Sequence, residues 1–145
     1  MEKKIWFDMD GTIANLYAIE GWLEMLTVTY DPYPYANAEP MLNMSAFARL
    51  LHKAQRLGYE IGIISWLSKN PTAEYDIAVT QAKLEWLRVH LPSVEWNEIH
   101  IVAYGTPKHT ICSGVLFDDE EHNRNMWGQG AYEPCEILEF LRGLE

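Results

Sequence analysis

IWFDMDGTIA, residues 5–14, places the apolar run Ile5, Trp6, Phe7 directly before two carboxylates, Asp8 and Asp10, with one residue between them. Buried without partners, both would carry a heavy desolvation cost, so they must be solvated, liganded or paired. Gly11 follows and permits a close turn. The stretch reads as a buried strand from Lys4 to Phe7 running into an acidic loop, and the rest of the chain has to supply the partner.

Three further stretches repeat that form. Tyr59 to Ser65 is a nearly continuous buried run through Ile61, Ile63 and Ile64 that ends in a polar residue. Ile99 to Ala103 precedes a turn at Gly105 and a short helix, from Thr106 or Pro107 to Ser113, that carries Lys108. Val115 to Phe117 ends in Asp118 and Asp119.

Helical spacing fills the intervals. It runs from Ala14 to Leu26 with Gly21 as a weak point, from Met44 to Gly58 with Ser45 as N-cap, and from Thr72 to Leu91 before Pro92. A short edge strand at Ala131 and Tyr132 and a helix from Pro134 to Leu141 complete the chain. The crossovers are long enough for parallel pairing, which predicts an α/β fold: a three-layer α/β/α sandwich on a mostly parallel, Rossmann-like sheet. Residues 27–43, with three prolines and Tyr30, Tyr33 and Tyr35, read as a loop or small lid. No repeat or linker is visible, so residues 1–145 are expected to form a single domain with little or no cap.

Bulk properties bound the function. The formal charge of -10 repels nucleic-acid backbones and anionic membranes in nonspecific encounters, although a local patch can still bind a phosphate. Cys112 and Cys135 have neither CxxC spacing nor a nearby ligand set, and read as reduced thiols. With no apolar run long enough to span a bilayer and no signal-like segment, the expected location is cytoplasmic.

In an open parallel sheet, ligands bind beyond the carboxyl ends of the strands, where Asp8, Asp10, Ser65, Lys108, Asp118 and Asp119 can converge. Four carboxylates would repel one another without a cation. An all-oxygen set selects a hard ion, and Mg2+ suits a site that also takes phosphate oxygens. Taken singly, Ser65 reads as a turn or cap residue, Lys108 as a solvated lysine and Asp118-Asp119 as part of an acidic loop; their conjunction favours a site. Lys69 is a rival phosphate cation, and His122 and Asn123 are candidate secondary contacts.

These motifs resemble those of the haloacid dehalogenase-like hydrolases: DMDGT at positions 8–12, Ser65, Lys108, then Asp118-Asp119, in the family's order. The resemblance implies a minimal-cap phosphatase with Asp8 as nucleophile, forming an aspartyl-phosphate, and Asp10 as acid and then base. It implies Mg2+ held by Asp8, the Asp10 carbonyl, Asp118 and Asp119, the last through water or by orienting Lys108. Ser65, Lys108, Gly11 and Thr12 would hold the phosphate, with backbone N–H groups around Asp10 and Gly11 completing the cradle and the Thr12 hydroxyl orienting Asp10. The chain is also similar to deoxyribonucleotidase-like and phage-type members, and Trp66, Tyr30, Tyr33 and Tyr35 are available to stack on a ring. The expected partner is a small or nucleotide-like phosphate, with an open cleft or one closed by a neighbouring subunit in a homo-oligomer. Two alternatives stand beside it: a non-catalytic phosphate-binding regulator on the same fold, and a nucleic-acid end phosphatase.

Overall fold

The structure is a computed structural model that describes residues 2–69 and 72–145. Five strands, β1 (Lys4–Phe7), β2 (Glu60–Trp66), β3 (Glu98–Val102), β4 (Val115–Phe117) and β5 (Ala131–Tyr132), form one sheet in the order β3-β2-β1-β4-β5. Every pairing in it is parallel. The chain runs outward through β2 and β3 on one side of β1 and through β4 and β5 on the other, so the order reverses between β1 and β4. That reversal opens a crevice at the carboxyl ends of two strands that each stop at a pair of aspartates.

Strand alternation assigns the two faces. Ile5, Phe7, Ile61, Ile63, Val115 and Phe117 point into the main core, which α3 (Met44–Arg56), α4 (Ala73–His90) and α6 (Ile137–Arg142) cover with Phe47, Leu51, Trp86, Leu87, Ile137 and Leu141. Trp6, Ile64 and Leu116 point to the opposite face, where Cys112 and Trp127, at the end of α5 (Glu121–Trp127), form a thinner layer. Alternation puts position 62 on that thin face, and it is glycine because a Cβ there would overlap the Trp6 ring.

The predicted helix from Ala14 to Leu26 is broken. A 3-10 turn at Leu16–Ala18 and α1 (Trp22–Thr27) flank Gly21, which takes φ +77, a left-handed conformation that stops one helix and starts another. Residues 27–43, read as a loop or small lid, contain the short helix α2 (Tyr33–Asn37), which starts where Pro32 and Pro34 preset its first turn. The whole insert packs on α4 through Leu16, Leu26 and Tyr35 against Tyr75, Val79 and Ala82. The N-cap of α3 is Asn43, whose side chain accepts from the Ala46 N–H, and Ser45 lies inside the helix. The polar segment after Asp119 is helical, as α5. The segment from 107 shortens to a 3-10 turn, Lys108–Thr110.

Candidate active site

β1 delivers Asp8 to the crevice, and the turn that follows is tied down by its own backbone. The N–H groups of Thr12, Ile13 and Ala14 all donate to the Met9 carbonyl, while the Gly11 N–H donates to the Ala14 carbonyl. Met9 itself is buried in the main core, so the side chains on either side of it rise to the surface of the sheet end. The Gly11 and Thr12 amides both donate within the turn. Gly11 is required at its position: at φ +79, a Cβ would overlap the Asp119 carboxylate and the Tyr17 ring.

Two buried ammonium groups divide the carboxylates between them. Lys108 donates to Asp8 Oδ1 at 2.9 Å and Asp118 Oδ2 at 2.7 Å. Burial disfavours its charge, but the Asp8 and Asp118 carboxylates outweigh that and raise Lys108 to about 12. Lys83, from the middle of α4, donates to Asp10 Oδ2 at 2.9 Å, to Ser65 Oγ at 2.6 Å and to the Trp66 carbonyl at 2.7 Å. Burial raises the Asp10 carboxyl above its ordinary value against the pull of Lys83, with nearby Asp8 adding to the rise.

Thr12 ties the two acidic strand ends together. Its hydroxyl lies 3.1 Å from Asp8 Oδ2 and 3.2 Å from Asp119 Oδ1, and accepts the Asp119 N–H at 3.1 Å. It therefore orients Asp8 and Asp119, and not Asp10, whose partner is Lys83. Asp119 faces this Thr12 hydroxyl, while the Lys108 ammonium donates to Asp8 and Asp118. Asn123 donates to Asp118 Oδ2 at 3.1 Å, and the Glu120 N–H to Asp118 Oδ1 at 2.9 Å.

Asp8, Asp118 and Asp119 each offer an oxygen within 4.8 Å of the others. Ionised, these three carry three negative charges against the single ammonium of Lys108, while Asp10 is matched by Lys83. The excess of two is what a divalent cation neutralises, and an oxygen-only set fits magnesium. The Asp10 carboxylate stands outside this cluster.

That excess has a consequence when metal is withheld. Burial, then the Asp8 charge, raises Asp118 from 3.8 to about 6 and Asp119 from 3.8 to about 8. The folded chain then holds protons that the unfolded chain has released, so stability falls as pH rises from the ordinary value through the folded ones. Urea midpoints in EDTA should decline between pH 3.8 and about 8 and the decline should flatten when magnesium is added. A midpoint that rises across that window would contradict the clustering of unpaired charge.

Beside the carboxylates opens a cavity of about 300 Å³, lined by Tyr17, Trp22, Leu26, Tyr35, Trp66 and Tyr104 together with Asp8, Asp10 and Lys108. Trp66 and Tyr104 rings lie 4.9 Å apart, and the Trp66 N–H is fixed on the Thr106 carbonyl. Lys69 lines the cavity without touching the carboxylate cluster. Tyr35 and Trp66 thus reach the expected position, whereas Tyr30 and Tyr33 do not. Tyr30, at φ +52, turns its ring onto Tyr75, and Tyr33 is half exposed at the start of α2. Tyr17, Trp22 and Tyr104 were not singled out in the sequence. Neither was Lys83, whose position on the apolar stripe of a helix, between Val79 and Trp86, was the available signal, because a lysine there needs a partner.

Comparison with known proteins adds a family. The family described as "5' nucleotidase, deoxy (Pyrimidine), cytosolic type C protein" matches residues 33–131, a span that holds Ser65, Lys83, Lys108, Asp118 and Asp119 but not Asp8 or Asp10. No curated protein matches the sequence. Among solved structures, the D,D-heptose 1,7-bisphosphate phosphatase from Burkholderia Thailandensis superposes with a TM-score of 0.57 at 11% identity, over 97% of this chain and 99% of that one. At that identity the likeness concerns the fold alone.

Proposed function

We propose a function from one premise: the chain belongs to the cytosolic type C 5' nucleotidase family, whose match spans about two thirds of it. The protein is a magnesium-dependent phosphatase that hydrolyses small phosphate monoesters through an aspartyl-phosphate. The observation that carries this reading is the joining of Asp8, Asp118 and Asp119 into one oxygen cluster beside Asp10, at the point where the strand order reverses.

Asp8 attacks phosphorus as the bond to the leaving oxygen breaks, and Asp10 gives that oxygen its proton. Asp10 then takes a proton from water, which attacks the phosphoryl group, frees phosphate and restores Asp8. Ser65 donates to the phosphoryl group through its hydroxyl. Lys108 supplies charge next to the nucleophile and holds Asp8 in place. Asp8, Asp118, Asp119 and the Asp10 carbonyl are the groups proposed to hold magnesium, which supplies charge neutralisation on the transferring oxygens.

A nucleotide-like substrate is the class we favour, because the aromatic cavity adjoins the carboxylates and has room for a ring. We take the chain as one domain, with residues 27–43 as part of a small lid over that cavity. No helix among the described residues is long and apolar enough to cross a membrane. A cytoplasmic location is favoured by Cys112 and Cys135, both free thiols.

The test is a panel of phosphate monoesters, nucleotides included, offered with magnesium or with EDTA. Phosphate release should require magnesium and fall by at least about a hundredfold in EDTA, as expected when charge on a transferring phosphoryl loses its cation. No release from any ester, with tight phosphate binding retained, would favour a binding-only protein on this fold.

A further inference from the structure

Lys83 is almost fully buried, at 1% exposure, inside a helix stripe that is otherwise apolar. A charge so placed is tolerated only if it is fully paired. Its ammonium has three N–H donors and no acceptor, and three oxygens receive them: Asp10 Oδ2, Ser65 Oγ and the Trp66 carbonyl. The face of the Tyr35 ring lies 5.0 Å from the same nitrogen.

That geometry restricts both partners. Ser65 Oγ accepts from Lys83, so its hydroxyl hydrogen is left to donate to another group. Asp10 Oδ2 is pinned, which fixes the rotation of the carboxyl group and the direction of Oδ1. Lys108 does not touch either group; its ammonium serves Asp8 and Asp118.

We infer that Lys83 is a positioning residue that locks Asp10 and Ser65 into one arrangement, so that the acid faces the leaving oxygen while the serine hydroxyl faces the phosphoryl group. The inference rests on the phosphatase reading above. In that mechanism proton delivery matters most when the leaving alcohol is a poor one, and hardly at all when it departs as a stable anion. Removal of Lys83 therefore acts selectively, according to the leaving group. It also slows hydrolysis of the aspartyl-phosphate, which needs Asp10 as base whatever alcohol has left.

The experiment compares the wild-type protein with Lys83→Met, using an alkyl phosphate and p-nitrophenyl phosphate in saturating magnesium. For the variant, kcat/KM should fall by about 10²-fold or more with the alkyl ester and by less than about tenfold with the aryl ester. Acid quenching during aryl ester turnover should trap more phosphoenzyme in the variant than in the wild type. An equal fall with both esters would overturn the inference, because damaged packing or binding does not discriminate between leaving groups. If Lys83→Met does not fold, Lys83→Gln, which keeps amide donors, takes its place. A crystal structure of the folded variant gives a second answer independent of turnover: Asp10 should have rotated away while Asp8 and Asp118 stay in place, and an unmoved Asp10 would overturn the proposal. Should the wild type hydrolyse neither ester, the phosphatase reading fails, and the position of Asp10 in the variant still decides the role of Lys83.

Discussion

Asp8→Asn should fall in turnover by about 10⁴-fold or more on every phosphate ester the wild type accepts, because the amide cannot act as the covalent nucleophile. The side chain is nearly isosteric, and the fold should survive the change. Lys108 keeps its bond to Asp118, and Thr12 keeps its contacts with Asp119. The variant also removes one of three crowded negative charges, so its stability in EDTA should equal or exceed that of the wild type. Two measurements check this together: phosphate release, and trapping of labelled phosphoenzyme by acid. Release at more than a hundredth of the wild-type rate, or a trapped phosphoenzyme in the variant, would remove Asp8 from the nucleophile role.

Lys108→Met should have the largest effect on stability. The ammonium is buried between two carboxylates, at 2.9 Å and 2.7 Å, and the apolar replacement leaves Asp8 and Asp118 facing each other without a counter-ion. Breaking a buried pair from one side typically costs about 3–5 kcal/mol, because the remaining charge is uncompensated. The loss should be greatest in EDTA and partly reversed by magnesium, which neutralises the same cluster. Activity should fall by about 10²–10³-fold even with the metal present, the usual cost of deleting a preorganised charge beside a reacting group. Denaturant melts with and without magnesium separate the two effects. A variant as stable as the wild type in EDTA would mean that Lys108 does not balance the cluster.

The strands carried their own signal. Ile5 to Phe7, Ile61 to Ile64 and Val115 to Phe117 are short apolar runs with polar stops, and a strand buried on both faces has to look like that. Their parallel order followed from the length of the connecting helices, so the gathering of Asp8, Asp10, Ser65, Lys108, Asp118 and Asp119 at one end of the sheet could be read before any contact was known. The helical insert was harder to read. Leu16, Ile19, Leu23 and Leu26 keep helical spacing across Gly21, and only the backbone conformation of that glycine separates a 3-10 turn from α1. Asn43 and Ser45 are both good caps by composition, and the choice between them depends on where the first turn closes.

By itself the sequence determined the α/β fold, the strand-end carboxylates and their need for a cation, because apolar periodicity and uncompensated charge are properties of residue order. Tertiary structure alone decided which charge meets which. Lys83 reaches Asp10 across 73 positions, and Thr12 reaches Asp119 across 107. Periodicity reports that a position is buried, but a buried ammonium or hydroxyl is defined by the oxygens around it, and those come from distant strands. The pair IWFDMDGTIA presents as equals, Asp8 and Asp10, is therefore divided by two lysines that lie far along the chain, one holding the carboxylate that belongs to the oxygen cluster and the other holding the carboxylate outside it.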